Sequence, residues 1–369
     1  MRRLLWALVF SLAAAGPAVA GMASHQRVLP RSVFLEPSVQ GPVLNFDVAC
    51  RLEAACRPLL ALFTYRDARG APLLRRRLTS HHFADLARFL TVVSTRGRLR
   101  PPGEALAPGD RLFLTHPYSQ IPWPAGGEPA AVEVDLYLQA AAGGNLEAVS
   151  WRVGVRRFRP RVRLRLPVRG VWWHLEGHDA FSHHRHLPLE VNSNYFACDL
   201  VKVDRNLAIH RGDGTRLEHY YGFGRPVVAA AEGVVVKVVD GLPDNPVGRS
   251  LPVYTQDRQG RLAGGNLVIL EHGPRRYTYY AHLRRGSLRV REGQRVRRGQ
   301  VLAAVGNSGG NTSVPHLHWH LMDAPATDFR RAQGLPAVLE AFRLRRGGKW
   351  VVVRERSLLA GEVVRPLEE

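Results

Sequence analysis

The apolar residues of this chain are gathered into short runs, several alternating with polar residues, and Gly, Pro and Asp separate the runs. Val43-Leu44-Asn45-Phe46-Asp47-Val48, Leu59 to Tyr65, Val132 to Leu138 and Val149 to Val155 are of this kind. Turns such as Ala68-Arg69-Gly70 and Pro108-Gly109-Asp110 lie between them. Side chains alternate faces along a strand, so each run can bury one face while the punctuation reverses the chain. The pattern predicts an all-β protein whose first part, residues 21–166, is a β-sandwich-like accessory domain. One short helix is expected within His81 to Val93. Arg157 to Arg165, where arginine alternates with apolar residues around Pro160, reads as an edge strand.

From Pro167 the character changes, with Trp172, Trp173 and a histidine-rich stretch from His174 to His186. Pro226 to Asp240 reads as a strand with a bulge or turn at Gly233. Asn266 to His272 and Tyr277 to His282 read as a hairpin around Gly273-Pro274, and Leu288 to Leu302 as a tightly turned β-segment. Residues 167–345 are thus expected to form a compact antiparallel-β domain. A short helix is expected within Pro336 to Phe342, and residues 346–369 as a C-terminal strand (Trp350 to Val353) and a charged tail.

A length of 369 residues is enough for two domains with real cores. Met1-Arg2-Arg3, the apolar run Leu4 to Ala15 and Ala18-Val19-Ala20 have the form of a secretory signal peptide covering residues 1–20. That predicts an exported mature protein, periplasmic, envelope-associated or extracellular, with no transmembrane span after cleavage. The formal charge is +21, yet the only lysines are Lys202, Lys237 and Lys349. The arginines fall in separate runs (Arg75-Arg76-Arg77, Arg156 to Arg165, Arg295 to Arg298) that match no nucleic-acid reader, so no specific nucleic-acid partner is expected. Anionic envelope polymers are the expected electrostatic partners. In an oxidising compartment Cys50 and Cys56 are expected to form a small-loop disulfide, leaving Cys198 as buried filler.

The chemistry is concentrated in Pro315-His316-Leu317-His318-Trp319-His320. In a strand, Leu317 and Trp319 face a core while His316, His318 and His320 share the opposite face. A His-x-His run alone is commonly just a solvated face. Here all the histidines but His25, His81, His82 and His116 lie between His174 and His320, and imidazole is a common zinc ligand.

Four segments together give that concentration a meaning: Phe196-Ala197-Cys198-Asp199-Leu200; Gly224 to Val235; Tyr280-Ala281-His282-Leu283; and Gly306-Asn307-Ser308-Gly309 leading into Pro315-His316-Leu317-His318. With these in order, roughly residues 170–345 resemble the lysostaphin/LytM-type zinc metallopeptidases, most of them bacterial murein hydrolases. The resemblance implies one Zn2+ per chain, with His318 and Asp199 as ligands and His316 and His282 as catalytic histidines flanking the attacking water. The usual His-x-x-x-Asp spacing would place the remaining ligand at Tyr195, and a phenol of pKa ~10 is a poor ligand at neutral pH. One branch of the family supplies this histidine from farther upstream, in a His-Arg context. His184-Arg185 fits that pattern, with His183 the close alternative and His186 the third. His320, where many relatives have another residue, often Glu, is expected outside the ligand set. His174, His178, His210, His219 and His272 are expected to be surface or packing residues.

The reading is therefore an exported zinc endopeptidase that cuts peptide bonds, in peptidoglycan stem peptides or cross-links. Its alternative is a catalytically degenerate envelope protein that binds or activates other cell-wall hydrolases. A lipoyl- or biotinyl-type carrier is excluded, because none of the three lysines sits at a suitable hairpin tip.

Overall fold

The structure is a computed structural model that describes residues 21–30, 32–36, 43–85, 90–100, 106–117, 127–144, 146–177, 182–184, 192–257, 261–310 and 312–367. The expected leader, His178 and His186 lie outside the described residues. Nearly all the regular structure is β, as expected.

In the first half two sheets face each other. One runs in the order Ala23–Leu29, Asp47–Leu52, Arg111–Thr115, Leu90–Val93, Leu99–Arg100. The other runs Val43–Leu44, Val33–Glu36, Leu146–Arg157, Ala131–Ala140, Cys56–Arg66, Pro72–Thr79. Val132, Val134, Leu136 and Leu138 of the second sheet meet Val48, Leu52, Leu112 and Leu114 of the first in one core. These residues sit at alternate positions, so the period-two pattern is what closes the sandwich.

Several local expectations differ from what forms. The helix near His81 is short, Ser80–Asp85, and Leu90–Val93 is instead a strand paired with Arg111–Thr115, where its β-branched residues pack. Cys50 and Cys56 are free and buried, like Cys198. Both belong to the sandwich core, and burial pushes their thiols up to about 12 and about 11 respectively. The alternating strand ends at Arg157, and no strand covers 158–165. Pro226 to Asp240 is divided into Pro226–Val228 and Gly233–Val239, which belong to different sheets. Pro336 to Phe342 is not helical. Leu339–Arg346 pairs with Lys349–Arg356 across Gly347-Gly348, both with positive φ, as a two-residue hairpin loop requires.

The second half is dominated by one eleven-stranded sheet. Its order from one edge is Arg295–Val296, Gly233–Val239, Asn266–Glu271, Tyr277–Leu283, Leu317–Met322, Cys198–Lys202 and Trp172–Glu176. Val363–Arg365, Leu339–Arg346 and Lys349–Arg356 continue it, and Gly334–Leu335 pairs with Leu317–Met322 off this path. Leu317–Met322 lies in the middle, antiparallel to both neighbours. Leu317, Trp319 and Leu321 enter the main core with Tyr280 and Leu200. Each such side chain stabilises the fold by about 1.5–3 kcal/mol on burial. A register slip of one residue would drive the three imidazoles into that core, so the histidine face is strongly specified.

Candidate metal centre

The middle of this sheet brings the predicted residues together. Asp199 is paired directly opposite His318, so the two side chains share a face, and His318 Nδ1 lies 2.9 Å from Asp199 Oδ1. His316 Nε2 is 3.7 Å from the same oxygen. On the other oxygen, Asp199 Oδ2, His184 Nε2 approaches to 3.3 Å and His183 Nε2 to 3.8 Å. Four imidazoles thus converge on one buried carboxylate.

His282 reaches the group by an unusual route. Its neighbour Ala281 pairs with His318, so strict alternation would turn His282 to the opposite face. Its backbone is left-handed, with φ of 58°, and the pairing to Asn266–Glu271 is irregular between Asn266 and Val268. The ring lies 4.7 Å from that of His316. A left-handed non-glycine residue is strained and persists where its surroundings over-determine it. Those surroundings are a buried polar cradle. Ser308 carbonyl accepts from His282 Nδ1 at 2.7 Å, Ser308 Oγ donates to the Leu283 carbonyl, and Asn266 Nδ2 donates to the same carbonyl. Gly309 completes it: φ is 117°, and a Cβ there would lie 2.7 Å from His282 Nδ1 and 2.5 Å from the Ala263 carbonyl. This gives a physical reason for the glycine in Gly306-Asn307-Ser308-Gly309.

The imidazoles are oriented by backbone carbonyls. His184 Nδ1 donates to the Gly177 carbonyl at 2.9 Å, and His316 Nδ1 to the Val314 carbonyl at 2.8 Å. In each, the remaining Nε2 is left with a lone pair, as a ligand or proton acceptor needs. Both Nε2 atoms are buried without a hydrogen-bond partner among the described residues. His318 uses its nitrogens the other way round: Nδ1 faces Asp199, and Nε2 pairs with His320 Nδ1 at 3.1 Å. The His320 ring is held in turn by stacking on Tyr279, with centroids 4.6 Å apart.

Burial opposes ionisation of Asp199. The charges that His184 and His316 carry when protonated, with the hydrogen bond from His318, nevertheless hold its carboxyl well below the usual range. Burial likewise opposes protonation of His184, but Asp199 and the Gly177 carbonyl raise its pKa overall. Burial pushes His318 down to about 4, and pushes His282 and His320 well below the ordinary imidazole value, with neighbouring imidazoles adding to the effect on the last two.

This donor set suits zinc, which takes imidazole nitrogen and carboxylate oxygen. The lone pair of a neutral His184 would face Asp199 Oδ2 at 3.3 Å, an unfavourable pairing that a cation between them would reverse. His183, His184 and Asp199 offer ligand atoms all within 4.8 Å of one another. The two histidines differ in setting: His184 is 2 % exposed and tied to Gly177, whereas His183 is 52 % exposed and also faces Glu176. The space these residues border, about 40 Å3, has room for an ion or a water.

Residues 211–328 match the family model described as Peptidase family M23. The likeness to that family rests on this segment of 118 residues out of 369. The matched segment contains His282, His316, His318 and His320, while His184 and Asp199 lie before it. The peptidoglycan DD-endopeptidase ShyA of Vibrio cholerae is 31% identical over 132 residues, 36% of this chain and 24% of its own length. The cell division protein DipM of Caulobacter vibrioides is 28% identical over 116 residues, 31% of this chain and 15% of its own. The chain thus spans about a quarter or less of the length of these curated relatives. The catalytic domain of lysostaphin from Staphylococcus simulans aligns at 18% identity and a TM-score of 0.25, over 45% of this chain and 88% of its own.

Two features of this site have no signature in the sequence. Tyr195, at the position of the usual ligand, is buried and donates to Asp47 Oδ2 at 3.1 Å and towards the Leu29 carbonyl at 3.4 Å, both in the first sheet of the sandwich. The second is the His318–His320–Tyr279 chain. Replacing His320 with Phe keeps the stacking but removes the hydrogen-bond partner of His318 Nε2. His320→Phe is expected to fold and to bind zinc about 10–100-fold more weakly, as losses behind a ligand do. Competition with a chromophoric chelator measures this, and an unchanged affinity would refute the role.

Proposed function

We propose that this chain is an exported zinc-dependent endopeptidase that hydrolyses peptide bonds in peptidoglycan stem peptides or cross-links. The observation that carries the reading is the buried Asp199 carboxylate ringed by His184, His316 and His318, with His282 beside them. His184, Asp199 and His318 are the proposed ligands of one zinc ion, and the family match over residues 211–328 and the likeness to DD-endopeptidases support the choice of metal and substrate class.

A zinc ion, when bound, supplies Lewis acidity for the scissile carbonyl and for the attacking water. The chain supplies the rest. Asp199 brings one negative charge to a site otherwise built of neutral imidazoles, which leaves a divalent ion incompletely neutralised. His316 Nε2, held by its Nδ1 bond to Val314, can accept a proton from the attacking water and return it to the leaving amine. His282, whose Nδ1 is held by the Ser308 carbonyl, borders the same space as His184, Asp199 and His318; its other nitrogen can take up a proton and, in that protonated form, donate to the developing oxyanion. Residues 21–166 are proposed as a positioning domain for residues 167–345, and residues 1–20 as the cleaved leader.

The test is digestion of purified peptidoglycan by the mature, zinc-loaded protein. New free amino groups are expected to appear, chelator is expected to stop their release, and added zinc to restore it. Binding to peptidoglycan with no new amino groups would favour a non-catalytic envelope protein instead.

A further inference from the structure

Two arginine runs far apart in the sequence meet in space, away from the metal centre. Arg161 and Arg163, from the segment joining the two halves, line a cavity of about 710 Å3 together with Arg297 and Arg298. Glu232 and His272 line it too. The cavity lies by the turn between Asn266–Glu271 and Tyr277–Leu283, and His282 is near the other end of the second strand, roughly 17 Å along it.

The local charge is far from balanced. Glu340 is shared by Arg163, Arg165 and Arg298 at 3.6, 3.5 and 3.3 Å. Arg161 and Arg297 have no carboxylate partner among the described residues. Arg276, next to this group, has a buried Nε without a hydrogen-bond partner, and burial together with Arg161 and Arg275 lowers its pKa. His272 adds no charge: Glu232 carbonyl and Thr278 Oγ1 occupy its two nitrogens, and burial lowers its pKa.

We propose that this cavity binds a phosphodiester-linked anionic polymer. Guanidinium pairs bidentately with phosphate oxygens, and several forks facing one space suit a chain of phosphates better than a single anion. The volume is that of a site for a ligand larger than one phosphate group. The exposed Arg161 and Arg297 can be changed without touching the core or the metal centre.

The experiment uses inorganic tripolyphosphate as probe, titrated calorimetrically into the mature protein at several salt concentrations. Arg161→Gln/Arg297→Gln is expected to bind about tenfold or more weakly, and to reduce the slope of log affinity against log salt by about 1.4, from roughly 0.7 per phosphate contact. A control that removes the same charge elsewhere, Arg75→Gln/Arg76→Gln, is expected to change little. Equal weakening by the two double variants would overturn the site in favour of net charge. Equally tight binding of polyglutamate would overturn the preference for phosphate. Capture on phosphatidylglycerol vesicles without binding of tripolyphosphate would overturn the polymer in favour of a lipid surface.

Discussion

His184→Ala, purified from zinc-replete medium, is expected to hold far less than one zinc per chain, whereas His183→Ala holds a full equivalent. Binding of zinc by small protein sites is worth about 10–16 kcal/mol, so one ligand in three or four accounts for about 3–4 kcal/mol, roughly a hundred- to a thousandfold in affinity. The two histidines are adjacent, with rings 4.2 Å apart, and either can reach Asp199 Oδ2. What separates them is preparation. His184 is buried, and the Gly177 carbonyl fixes its Nδ1, leaving Nε2 committed to the site. His183 is half in solvent and divided between Glu176 and Asp199, so using it would require ordering a mobile type of side chain at an entropic cost. Metal analysis of the two variants decides the matter, and a full equivalent in His184→Ala would refute the assignment. His318→Ala and Asp199→Ala are expected to lose zinc to a similar degree.

How legible this site was in the sequence depended on how local each relation is. The alternation in His316-Leu317-His318-Trp319-His320 is local, and the core formed by Leu317 and Trp319 follows from it directly. The pairing of Asp199 with His318 is distant in sequence, yet two strands that each alternate can meet with matched faces, so the family pattern captured it. The upstream histidine is different. Fifteen positions separate His184 from Asp199, and no periodicity runs through them; the link is the Gly177 carbonyl, which only the folded chain supplies. His282 was recognisable as a residue but not as a direction, because its side chain faces the site through a left-handed backbone held by Ser308 and Gly309. The strand at Leu339–Arg346 shows the opposite failure: helix-compatible residues in Pro336 to Phe342 yielded to the partner strand beyond Gly347-Gly348.

The histidines proposed as catalytic should part from the proposed ligands in one respect: turnover falls while metal stays. His316→Ala and His282→Ala are each expected to retain a full equivalent of zinc and to lose about 10^2–10^4-fold in kcat, the usual contribution of a positioned acid–base or charge-stabilising group. His316 Nε2 stands 3.7 Å from Asp199 Oδ1, beyond direct contact but within reach of whatever Asp199 helps to hold. Removing it therefore deprives the attacking water of its proton acceptor while leaving three donors in place. His282 carries the additional cost of its backbone. Alanine at a φ of 58° keeps the strain without the Ser308 bond that offsets it, so this variant should also be the less stable of the two. Glycine at the same position would relieve the strain and still remove the imidazole. If His282→Gly is as inactive as His282→Ala but regains stability, the loss belongs to the missing ring and not to a distorted strand. Comparable zinc loss in His316→Ala or His282→Ala would instead make that residue a ligand and exclude it from the proton-transfer role.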